Sequence, residues 1–83
     1  MRIQYDEKQN IEFKESWRDE YLKWLCGFAN AQGGTLYIGV NDKADVVGIE
    51  NARKLLEDIP NKVRDALGIM VDVNLLEEEG KNY

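Results

Sequence analysis

The chain has 83 residues, which allows one small domain, and its 43% hydrophobic content is too high for a disordered segment. It holds 16 acidic and 11 basic residues, a net charge of −5 and a pI near 4.6, so it lacks the overall basic footprint of most nucleic-acid binders. There is no histidine and a single cysteine, Cys26, which excludes His-based catalysis and an internal disulfide and fits a reducing, cytoplasmic setting. Neither an apolar signal segment nor a run long enough to cross a membrane is present.

Ile11-Glu12-Phe13-Lys14 alternates apolar and charged residues and predicts a short strand with Glu12 and Lys14 on one face. Ser16 and Asp19 resemble a capping box, so a helix is predicted from Ser16. Its apolar stripe is Tyr21, Leu22, Leu25, Phe28 and Ala29. Gly33-Gly34 stops that helix. Thr35 to Val40 is the clearest strand, with Leu36, Ile38 and Val40 predicted on one face and Thr35, Tyr37 and Gly39 on the other. A polar turn at Asn41 to Asp45 leads to a partner strand, Val46 to Ile49.

Asn51 is placed to cap a second helix carrying Leu55, Leu56 and Ile59. Pro60 predicts a break near Asp58-Ile59 and a third helix, with Val63, Ala66 and Leu67, ending at Gly68. Ile69 to Leu76 reads as the last strand, with Val71, Val73 and Leu75 on one face. Glu77 to Asn82 reads as a hairpin turn, and Tyr83 as the start of another strand. The expected order β-α-β-β-α-α-β makes an α/β sandwich, a small mixed sheet packed with helices.

Three stretches carry a resemblance. They are Glu12-Phe13-Lys14-Glu15-Ser16, then Ala29-Asn30-Ala31-Gln32-Gly33-Gly34-Thr35-Leu36-Tyr37-Ile38-Gly39-Val40-Asn41-Asp42, then Val46-Val47-Gly48-Ile49. In this order and spacing the chain resembles the Schlafen AlbA_2 family, also called the divergent AlbA or DNA-binding domain. The resemblance implies a nucleic-acid-binding domain, DNA or RNA, at the N-terminus of a bacterial transcriptional regulator, ATP-binding protein or helicase-related protein. It also implies one domain over residues 1–83, with its C-terminal strand or strands supplied by a longer chain.

The resemblance suggests a second chemistry. Related eukaryotic Schlafen domains cleave RNA with three acidic residues at positions matching Glu7, Glu12 and Asp42. Three converging carboxylates would hold Mg²⁺ or Mn²⁺, hard cations that prefer oxygen ligands. The zinc site of those relatives has no counterpart here.

The residues leave several readings open. Gly33, Gly34, Gly39 and Gly48 serve tight turns, with Asn30 bonding the local backbone; alternatively the Gly33-Gly34 turn offers N–H groups to a phosphate. It is neither a Walker A loop nor a dinucleotide fingerprint. Lys14, Arg18 and Lys43 are candidate phosphate contacts and Trp17 a candidate base-stacking ring; solvated surface and core packing are the plainer alternatives. Trp17 and Trp24, seven apart, are expected on one helix face. Cys26 reads as a small apolar residue. Three functions therefore stand: a nucleic-acid-binding module needing no cofactor, a metal-dependent ribonuclease, and a homodimerisation module pairing through an open sheet edge.

Overall fold

The computed structural model describes residues 10–31 and 33–83. Strand β1, Ile11–Lys14, pairs in parallel with β2, Thr35–Ile38, in a register that sets Phe13 opposite Tyr37 and Lys14 opposite Ile38. Parallel neighbours require a crossover, and helix α1, Leu22–Asn30, supplies it. Helix α2, Ala52–Leu67, follows, and a two-stranded antiparallel hairpin, β3 at Glu77–Glu78 and β4 at Lys81–Asn82, closes the chain. The result is an α/β fold with a parallel and an antiparallel pair of strands.

Each face of the β1–β2 pair feeds its own core. Phe13, Val40, Ala44 and Val46 form one buried cluster, with Ile11, Tyr37 and Tyr83 packed against it. Leu55, Ile59 and Val63 of α2 form the other, joined by Trp17, Leu22, Leu25, Ile38 and Val71. The predicted grouping of Val40 with Leu36 and Ile38 is therefore corrected. Gly39 has a φ of +90°, and the N–H groups of Gly39 and Val40 both donate to the Lys14 carbonyl, at 2.7 and 3.1 Å. Two residues facing one acceptor make a bulge, and a bulge reverses the side-chain alternation. Val40 thus lands in the Phe13 cluster while Ile38 faces α2.

Four more expectations change. Ser16 does not start the first helix: a 3₁₀ turn at Asp19–Tyr21 precedes α1, and Arg18 occupies its cap position without a side-chain cap bond. Trp17 consequently lies outside α1 and does not share a helix face with Trp24. The predicted break at Pro60 is absent, and α2 runs through it. Ala52, Leu55, Ile59 and Val63 form a continuous buried stripe on both sides of Pro60, and that burial outweighs one lost backbone bond. Nearby, the Asn61 amide donates to the Glu57 carbonyl at 3.2 Å. Asn51 holds the cap position of α2, yet its carbonyl accepts from Leu55 N–H and its side chain makes no cap bond.

The segment 69–76 is the fourth. Its alternation is real: residues 69, 71, 73 and 75 are half-buried and 70, 72, 74 and 76 exposed. Among the described residues, however, its one ladder-type contact is at its end, where Leu76 and Tyr83 exchange both N–H···O bonds, at 2.9 and 3.0 Å. Likewise Val46 to Ile49 contributes a single bridge, Val46 to Val40, and passes Ile49 N–H to the Asn82 carbonyl. The hairpin turns on Glu79 and Gly80, with φ of 52° and 78°. Two consecutive left-handed residues are what a two-residue hairpin loop needs.

Candidate nucleic-acid interface

The site grows from the end of β1. Lys14 shares the β1 face turned toward α1, and its ammonium lies 5.0 Å from the Tyr21 ring centroid and 5.4 Å from that of Trp24. Tyr21 and Trp24 are three residues apart, so they project from one side of the chain as it enters α1. All three side chains are half-buried. A cation over an aromatic face is attracted by the ring quadrupole, by about 0.5–1 kcal/mol at sites open to solvent. The aromatic surface extends at both ends. Trp17 meets Tyr21 edge-on at 6.3 Å, and Phe28 lies 6.5 Å from Trp24.

Trp17 is committed on two sides. Its ring packs against the α2 cluster, and its indole N–H donates to the Asp19 carboxylate at 2.8 Å. The same oxygen accepts from Lys62 of α2 at 2.7 Å. These bonds, Lys62 first and Trp17 second, hold the Asp19 carboxyl below its usual 3.8. Beside it, Arg18 faces Glu20 at 3.6 Å, with side chains 68% and 59% exposed. Such a pair is weak, which leaves Arg18 open to exchange for another anion.

The turn that follows β2 starts at the same end of β1, because Lys14 O holds Gly39 and Val40. Asn41 shapes it: its Oδ1 accepts from Lys43 N at 2.9 Å and Asp45 N at 3.0 Å, while its carbonyl accepts from Ala44 N. Ala44 is left-handed, φ 65°, and still buried in the Phe13 cluster. Lys43 and Asp42 are exposed on this turn.

Of the three acidic positions, Glu7 lies outside the described residues. Glu12 is half-buried on β1 opposite Leu36, and Asp42 is exposed on the turn. Among the described residues, no three His, Cys, Asp or Glu side chains converge where they could hold a metal ion.

The Gly33-Gly34 turn is closed by its own bonds. Gly33, φ +92°, gives its N–H to the Phe28 carbonyl at 2.9 Å, and Thr35 N–H goes to Asn10 O at 2.9 Å. Those two donors are thus not available to a phosphate. A Cβ at Gly34 would sit 2.5 Å from Asn10 O and 2.6 Å from Phe28 Cγ, so the chain admits no side chain there. Asn30 reaches the Cys26 sulfur at 3.7 Å, a different partner from the backbone expected for it. Asn10 makes the backbone link instead, through its amide to Gly33 O at 3.0 Å, from a left-handed backbone of φ 60°. Sequence reasoning passed over Asn10, although an Asn just before a strand is a known candidate for left-handed geometry. It also placed Tyr21 in an apolar stripe and did not pair it with Lys14.

No described helix is long and apolar enough to cross a membrane. The sequence model of a family described as Schlafen, AlbA_2 matches residues 7–82. Neither a curated protein nor a solved structure matches the chain.

Proposed function

The chain belongs to the Schlafen AlbA_2 family, and from that premise we propose that it is a nucleic-acid-binding domain of a bacterial transcriptional regulator or ATP-binding protein. One observation supports this reading most: the Lys14 ammonium lies over the half-exposed rings of Tyr21 and Trp24, with Arg18, three residues before Tyr21, exposed beside Glu20. Cations and aromatic rings at one surface offer a nucleic acid both a phosphate partner and a face for its bases. Lys43 adds a further exposed cation on the turn that follows β2.

The net charge of −5 is compatible with this because it is unevenly spread. Residues 44–83 hold nine Asp and Glu against five Lys and Arg, so most of the acidic surplus follows the proposed interface in sequence. The test is fluorescence anisotropy with labelled DNA and RNA across a salt series. Binding weakens as salt rises, and Arg18→Ala lowers the magnitude of the salt slope by about 0.7–0.9, the share of one phosphate contact. Affinity that ignores both salt and Arg18→Ala would refute the assignment.

A further inference from the structure

Resting on that reading, we infer that the site takes single-stranded nucleic acid in preference to duplex, stacking bases on Trp24 and Tyr21 while Lys14 turns from the rings to the phosphate. Stacking needs an exposed π-face, and duplex bases keep theirs buried against each other. Of the two tryptophans, Trp17 has its indole N–H bonded to Asp19 and its ring packed on α2. Among the described residues Trp24 is not packed on the α2 cluster: it leans on Phe28 at 6.5 Å and is covered in part by the Lys14 ammonium at 5.4 Å. Tyr21 carries the same ammonium at 5.0 Å. Among the described residues, one flexible, charged side chain lies over both rings.

Magnitudes favour the exchange. An exposed cation–π contact is worth about two- to fivefold in an equilibrium. A stacked base is worth about five- to hundredfold per base, and the displaced ammonium gains a phosphate. Bases therefore win the rings, and Lys14 moves toward the backbone that brings them. Lys14 becomes a specificity-determining residue, since its charge is released only where an unstacked base takes its place.

The experiment compares a labelled oligothymidylate with a mixed-sequence duplex of the same length, using the full chain and its Trp24→Leu and Tyr21→Leu variants. Leucine keeps apolar bulk and removes the stacking face, and circular dichroism checks that each variant folds. The expected result is tighter binding of oligothymidylate, lost by about tenfold in Trp24→Leu. Duplex affinity falls by a smaller factor in the same variant. In Trp17→Phe, where Trp24 is the remaining indole, oligothymidylate quenches the emission. Equal affinity for both ligands, or equal losses for both in Trp24→Leu, overturns the inference and leaves nucleic-acid binding standing. If Trp24→Leu does not fold, Tyr21→Leu and the quenching decide by the same criteria. Absence of binding to either nucleic acid overturns the proposed function itself.

Discussion

The same chemical change at two glycines is expected to act in opposite directions. At Gly34 an added methyl would meet Asn10 O at 2.5 Å and Phe28 Cγ at 2.6 Å. The phenyl ring can rotate, but Asn10 O is backbone and already holds Thr35 N–H at 2.9 Å. Relief requires the β1–β2 junction to open by several tenths of an ångström. Overpacking of this kind costs about 1–3 kcal/mol, and weakening the Asn10–Thr35 bond adds about 1 kcal/mol. A domain of this size has about 4–12 kcal/mol in total. Gly34→Ala is therefore expected to lower Tm by more than about 10 °C. Gly27, inside α1 with nothing within 4 Å of its absent Cβ, should respond the other way. There Gly→Ala gains about 0.5–1 kcal/mol from helix propensity. Thermal melts followed by circular dichroism, with urea midpoints at constant slope, measure both. A Gly34→Ala protein melting within about 2 °C of wild type would refute the close approach.

Further outcomes follow from the packing and charges. Val63, fully buried in the α2 cluster, should cost about 2 kcal/mol as Val63→Ala in urea denaturation. Pro60→Ala restores an N–H inside α2 and should raise the urea midpoint, because Pro is about 3 kcal/mol worse than Ala in a helix interior. Asp19, with its carboxyl held below 3.8 by Lys62 and Trp17, favours folding above that pH. That contribution is lost as pH falls through the lower, folded value, so an acid titration of stability should show a component that Asp19→Asn removes.

Much of the fold was legible because local chemistry and final packing agree. The β1 alternation survives in the register of Phe13 against Tyr37. Gly68 ends α2 in the left-handed conformation, φ 68°, that glycine suits. Glu79-Gly80 makes the expected hairpin. The departures share a cause, which is tertiary packing overriding a local signal. Pro60 stays helical because both halves of α2 bury one stripe. Val40 changes face because Gly39 bulges, and a glycine in a strand reveals the potential for a bulge but not its direction. The segment 69–76 keeps its period-two burial while lacking a ladder, since pairing depends on a neighbour that alternation does not name. At the candidate site, Lys14 was visible as a charge on β1, whereas Arg18, expected inside a helix begun at Ser16, lies in extended backbone before the 3₁₀ turn. The Tyr21–Trp24 rings around Lys14 were not visible, because the contact joins β1 to α1 and appears only once the crossover is folded.

We propose that this surface binds nucleic acid through its cations and rings. Its most direct test is the salt dependence of oligonucleotide affinity for wild type and Arg18→Ala. Log K is expected to fall linearly with log salt, with a slope shallower by about 0.7–0.9 in the variant. No binding at the lowest salt, or identical slopes for the two proteins, would contradict it.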